Sequence, residues 1–117
     1  MHSILLIDDD PDVLEAWRLI LEHDGYNVRC ASNGVEALAY LALETVDLIV
    51  TDWMMPVMGG AELCARLKLI PELAKVPILV HTSAPPPVKV APTNWDAYLR
   101  KPVRAELFLS TVEGLCQ

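Results

Sequence analysis

Three short runs of uninterrupted apolar residues, ILLI at 4–7, LIV at 48–50 and ILV at 78–80, constrain the fold of this chain more than any other feature. A strand with one wet face alternates apolar and polar residues, whereas a strand covered on both faces has no polar side to show. The runs therefore predict parallel strands sandwiched between helices. A weaker run at 28–31, broken by Arg29 and Cys30, predicts another strand, and a short fifth is expected around 97–99.

The segments between the runs carry helical signals. Asp10 followed by Pro11 is an N-cap with proline at the first helical position, and Val13, Leu14, Trp17, Ile20 and Leu21 repeat on one face. Asp24-Gly25 stops that helix. A second is expected after Asn33-Gly34 with Leu38, Leu41 and Ala42 inward, and a third from about Gly60 with Leu63, Cys64, Leu67 and Ile70, ended by Pro71. The last should follow Pro102, with Leu107, Phe108, Thr111, Val112 and Leu115 on one face. Strands alternating with helices define a doubly wound α/β domain, and 117 residues suit a single unit spanning 1–117. One stretch breaks the rhythm. Residues 83–94 hold four prolines, Pro85, Pro86, Pro87 and Pro92, where a further helix would be due. Interior proline costs about 3 kcal/mol each, so this fourth helix is expected to be lost or irregular.

Composition narrows the function. A formal charge of -7 opposes attraction to nucleic acid or an anionic membrane surface. Cys30, Cys64 and Cys116 are an odd, widely spaced set with no CxxC, which argues against a disulfide frame or zinc site and fits a reducing cytoplasm. No stretch approaches the roughly 20 apolar residues that a membrane helix needs.

In an open parallel sheet, sites form beyond the carboxyl ends of the strands. There the first run is followed by Asp8-Asp9-Asp10, the third by Thr51-Asp52, the fourth by His81-Thr82-Ser83 and the fifth by Arg100-Lys101-Pro102. Taken singly, each residue has an ordinary explanation as a turn former, cap or surface charge. Together they do not, because two carboxylates at 4 Å repel by about 4 kcal/mol at an effective dielectric of 20. Asp8, Asp9 and Asp52 carry -3 and Lys101 returns +1, a remainder that one Mg²⁺ balances. An aspartate beside such a metal is a competent nucleophile toward phosphorus, with Thr82 and Lys101 placed to hold the transferred oxygens.

The segments ILLIDDDPDVLEA, DLIVTDWMMPVMGGAEL, VPILVHTSA and YLRKPV, spread over the whole chain, resemble the CheY-like receiver domain of bacterial response regulators. The resemblance implies a flavodoxin-like sheet of order 2-1-3-4-5, the order for which CheY itself is a type example. It further implies that Asp8 and Asp9 bind Mg²⁺, and that Asp52 is both phosphoacceptor and metal ligand. The Met54 backbone carbonyl would complete the protein ligands. Thr82 and Lys101 match the residues that sense the phosphoryl group, and Tyr98 matches the switch aromatic. The bond before Pro102 is expected to be cis. The implied donor is a phosphohistidine on a sensor histidine kinase or phosphotransfer protein, docked on the first helix with Pro56 and Met58 as contacts, while Met55 fills the core. Such a domain is a regulatory phosphoacceptor and catalyses only its own modification; its downstream protein target is not readable.

Two departures stand out. The proline stretch lies where the family places a signalling helix, which predicts altered or partner-specific output. Met54 and Ala84 occupy variable positions near the site and cannot orient a water, which predicts slow self-dephosphorylation. Two other readings compete: a degenerate receiver acting as a phosphorylation-independent interaction module, and a dehalogenase-type phosphohydrolase using Asp8 and Asp10 as a DxD motif.

Overall fold

A computed structural model describes residues 1–83 and 95–116. It contains β1 (Ser3–Ile7), α1 (Pro11–His23), β2 (Asn27–Ala31), α2 (Gly34–Leu41), β3 (Leu48–Thr51), α3 (Gly60–Leu69), β4 (Ile78–Thr82), β5 (Ala97–Arg100) and α4 (Ala105–Leu115). The five strands form one parallel sheet, as the apolar runs predict, of order β2-β1-β3-β4-β5, as the family resemblance implies. The proline stretch at 84–94 lies outside the described residues, and with it the expectation of a lost or irregular helix there.

The continuous apolar runs have the physical reason expected of them. Leu5, Ile7, Ile49 and Ile78 pack into a core with Ala37, Leu41, Leu63 and Leu67 from α2 and α3. Their neighbours Ile4, Leu6, Leu48, Val50 and Leu79 point to the other face, against Leu21 of α1 and Phe108 and Val112 of α4. Residues facing both ways are thus buried, each large aliphatic side chain contributing about 1.5–3 kcal/mol relative to exposure.

Helix starts follow their caps. Asp10 accepts from the Asp12 amide at 2.9 Å ahead of Pro11. Asn33 accepts from the Glu36 amide at 2.9 Å, and Glu36 reaches back to the Ser32 amide at 2.8 Å. The inward faces are corrected at two places. Ala42 caps α2 and is exposed, and Ala37 takes the inward position instead. Leu107 is 53% exposed because it lies in the first turn of α4, while Phe108 carries that turn's burial.

Candidate functional site

The parallel register brings the ends of β1, β3 and β4 to one edge. Ile7 lies beside Thr51, so the next residues, Asp8 and Asp52, emerge side by side. Ladder-like bonds hold both backbones: the Asp8 amide donates to Ala31 O at 3.1 Å and the Asp52 amide to Ile7 O at 2.9 Å. Asp8 is 2% exposed and Asp52 8%. Asp9 projects outward, yet one carboxylate oxygen each from Asp8, Asp9 and Asp52 lies within 4.8 Å of the others. An all-carboxylate oxygen set suits a hard cation such as Mg²⁺.

Lys101 enters from the other side. Its amide donates to Thr82 O at 2.9 Å, extending the β4–β5 pairing, and the peptide bond to Pro102 is cis. The ammonium lies 2.6 Å from Asp8 Oδ2 and 3.6 Å from Asp52 Oδ2. Burial pushes the Asp8 carboxyl above the ordinary carboxylate value; the hydrogen bonds from Lys101 and the Asp10 amide offset part of that rise. Asp52 Oδ1 accepts from the Trp53 amide at 2.7 Å and the Met54 amide at 3.4 Å, so its Oδ2 faces the lysine.

The loop after Asp52 is tightly built. The Gly60 amide returns to Trp53 O at 2.9 Å, and a β-carbon at Gly60 would stand 2.6 Å from the Asp52 carbonyl oxygen. Only glycine lets α3 start this close to Asp52. At the loop tip the Met58 amide bonds Pro56 O at 2.8 Å, which makes Val57 the centre of a γ-turn at φ 69. The loop is tied to α2 by the Gly34 amide on Met58 O at 3.1 Å.

The expected site residues fall as follows. Asp8, Asp9, Asp52 and Lys101 converge. Thr82 is buried at the end of β4, bonded through its carbonyl to Lys101. Tyr98 is half-buried on β5, in register with Val80, its ring 6.3 Å from that of Trp95. Met54 follows the loop with its side chain 67% exposed. Met58 is corrected: it is 6% exposed in the core beneath Gly34, so it offers no docking surface, whereas Val57 at 80% does. Met55 packs against the same core, as expected. Asp10 is engaged in capping α1, which removes the structural basis for a DxD motif.

One neighbour of the site was not singled out from the sequence. His81, 3% exposed, stands edge-on to Trp17 at 5.5 Å and to Phe108 at 5.1 Å, while Trp17 stacks on Phe108 at 4.0 Å. With Lys101 and Pro102, the Trp17 and His81 rings wall a small cavity of about 230 Å³. Burial, reinforced by the Lys101 charge, pushes the imidazole down to about 4, so it is neutral at physiological pH. The signal in the sequence was a lone histidine interrupting an apolar strand beside a hydroxyl.

Fold and site together define a parallel α/β domain that gathers acids and a lysine at one sheet edge. A profile of the response regulator receiver domain matches residues 4–113. Response regulator MprA of Mycobacterium leprae (strain TN) is 38% identical over 115 residues, covering 96% of this chain and 50% of that protein. The chain thus spans about half the length of the curated relatives it matches. Among solved structures, chemotaxis response regulator CheY4 of Vibrio cholerae superposes with a TM-score of 0.87 at 28% identity, covering 98% of each chain. Response regulator protein TrrA of Thermotoga maritima, in complex with Mg(2+)-BeF, does so with a TM-score of 0.89 at 26% identity, covering 98% of this chain and 99% of that one. The chain belongs to the response regulator receiver domain family of two-component systems. No helix among the described residues is long and apolar enough to cross a membrane.

Proposed function

We propose that residues 1–117 act as one receiver unit that takes a phosphoryl group on Asp52 from a phosphohistidine of a sensor histidine kinase or phosphotransfer protein. The observation that carries this reading is the convergence of Asp8, Asp9 and Asp52 within 4.8 Å, with Lys101 reaching both Asp8 and Asp52. Asp52 Oδ2 attacks phosphorus, the phosphorus–nitrogen bond breaks, and the donor imidazole leaves with the electron pair. The Trp53 and Met54 amides orient Asp52 through Oδ1, which directs Oδ2 toward the incoming group. Asp8, Asp9, Asp52 and the Met54 carbonyl would hold Mg²⁺, whose charge neutralises the oxygens gathered around phosphorus. The TrrA complex with Mg(2+)-BeF supports that cofactor by likeness.

After transfer, Lys101 and the Thr82 hydroxyl bind phosphoryl oxygens, and Tyr98 on the adjacent strand responds to the movement of Thr82. The donor docks over α1 and the exposed loop at Met54, Pro56 and Val57. The complete set of acids and lysine favours this reading over a phosphorylation-independent module. Intact-mass analysis with acetyl phosphate provides the test. A gain of one phosphoryl group that requires Mg²⁺ and is absent in Asp52→Asn is expected; no gain in the unaltered chain would put the interaction module ahead of this reading.

A further inference from the structure

Between Asp52 and Gly60 the chain forms a loop with little packing of its own. Met54 and Val57 are exposed, Trp53 and Met55 lie partly buried against the core, and Met58 is the one side chain fully buried there. The same loop supplies the Trp53 and Met54 amides that bond Asp52 Oδ1, at 2.7 and 3.4 Å, and the Met54 carbonyl proposed to hold Mg²⁺. A segment with so few buried contacts keeps one geometry only where something outside it sets its path.

That anchor is α2. Gly34 is the first residue of the helix and is buried, so its amide has no acceptor within α2; Met58 O, at 3.1 Å, is the acceptor. The fit is close, because a β-carbon at Gly34 would stand 2.7 Å from Met58 Cγ and Sδ and 2.9 Å from its Cβ. Both the backbone and the side chain of Met58 are thus held against one residue of α2. Immediately before it, Val57 sits at φ 69, a backbone that a β-branched residue keeps only where both flanks are held. Met58 on Gly34 holds one flank, and the Gly60 amide on Trp53 O closes the base of the loop. We propose that Met58 is a positioning residue for the acidic site: seated under Gly34, it fixes the loop so that the Trp53 and Met54 amides meet Asp52 Oδ1 and the Met54 carbonyl stays in one place. Its effect on Mg²⁺ affinity rests on the receiver reading, whereas the hold on Asp52 Oδ1 does not. Through this contact α2, which carries none of the expected site residues, bears on Asp52.

Amide NMR of the full chain tests this, with MgCl2 as the only addition. In Met58→Ala the Trp53 amide proton should move upfield before Mg²⁺ is added, as its bond to Asp52 Oδ1 loosens. Mg²⁺ should then bind about tenfold more weakly, the low end of what losing a group that orients a metal ligand costs. Met58→Leu, which refills the space, should restore both readings. Val112→Ala, in the core layer on the other face of the sheet, should lower the melting temperature yet change neither. Should Met58→Ala unfold, Gly34→Ala presses on the same contact from the helix and should give the same upfield move and weaker binding. An unmoved Trp53 amide proton, Mg²⁺ binding at full strength, or an equal effect in Val112→Ala would overturn the proposal. No Mg²⁺ binding by the unaltered chain, with the Trp53 proton still moved by Met58→Ala, would overturn the receiver reading and leave the hold on Asp52 standing.

Discussion

His81 is the residue with the most direct physical signature. Its imidazole is held at about 4 in the native chain against an ordinary value of 6.5, so between those limits the unfolded chain binds a proton that the folded chain refuses. Stability associated with this group is fully present above the unfolded value and is lost as pH falls through it toward about 4. His81→Phe, which keeps a ring against Trp17 and Phe108, should flatten the loss between about pH 7 and about pH 4.5 by on the order of 2 kcal/mol. Denaturant midpoints of both proteins at the two pH values measure it; parallel losses would sink the argument. Val57 is the opposite case, a β-branched residue at φ 69 on an exposed loop tip. Asparagine tolerates that region better, so Val57→Asn should stabilise by about 1 kcal/mol and raise the melting temperature by roughly 4 °C. An unchanged or lower melting temperature would mean that the turn carries little strain.

At the scale of elements, helix starts place the chemistry. α1 begins beside the acidic pair because Asp10 caps it, and α3 begins beside Asp52 because Gly60 admits the Asp52 carbonyl oxygen. Capping and the proposed phosphoryl chemistry are therefore separable within Asp8-Asp9-Asp10. Asp10→Ala should cost about 1 kcal/mol in denaturant unfolding yet leave Mg²⁺-dependent phosphorylation by acetyl phosphate at its full extent. Loss of phosphorylation with an intact fold would assign Asp10 to the site after all.

For the whole molecule, a cluster of like charges at one sheet edge opposes folding, and the proposed Mg²⁺ would offset it. Adding Mg²⁺ at about 100 times its dissociation constant should stabilise the native state by about 2.7 kcal/mol, a rise of several degrees in melting temperature. Asp9→Asn should raise the metal-free melting temperature slightly, because it removes repulsion without touching the Lys101 pair, and should shrink the Mg²⁺-dependent rise. A full-sized rise in Asp9→Asn would remove Asp9 from the ligand set.

Much of this protein was legible before its structure. Short apolar runs bounded by polar residues suit strands buried on two faces, so ILLI, LIV and ILV predict the parallel sheet, and the polar residues that follow them mark the edge where Asp8, Asp9, Asp52 and Lys101 meet. Asp10 and Asn33 announce their helices because capping is a local hydrogen bond. Burial at helix ends was not legible: Ala42 and Leu107 fit the period but face water, since the packing partner stops before the helix does. Nor was the fate of the methionines after Asp52, where Gly34 leaves room for Met58 in the core and the loop turns Met54 outward. The ring nest around His81 joins residues far apart in sequence, a juxtaposition that only long-range packing decides.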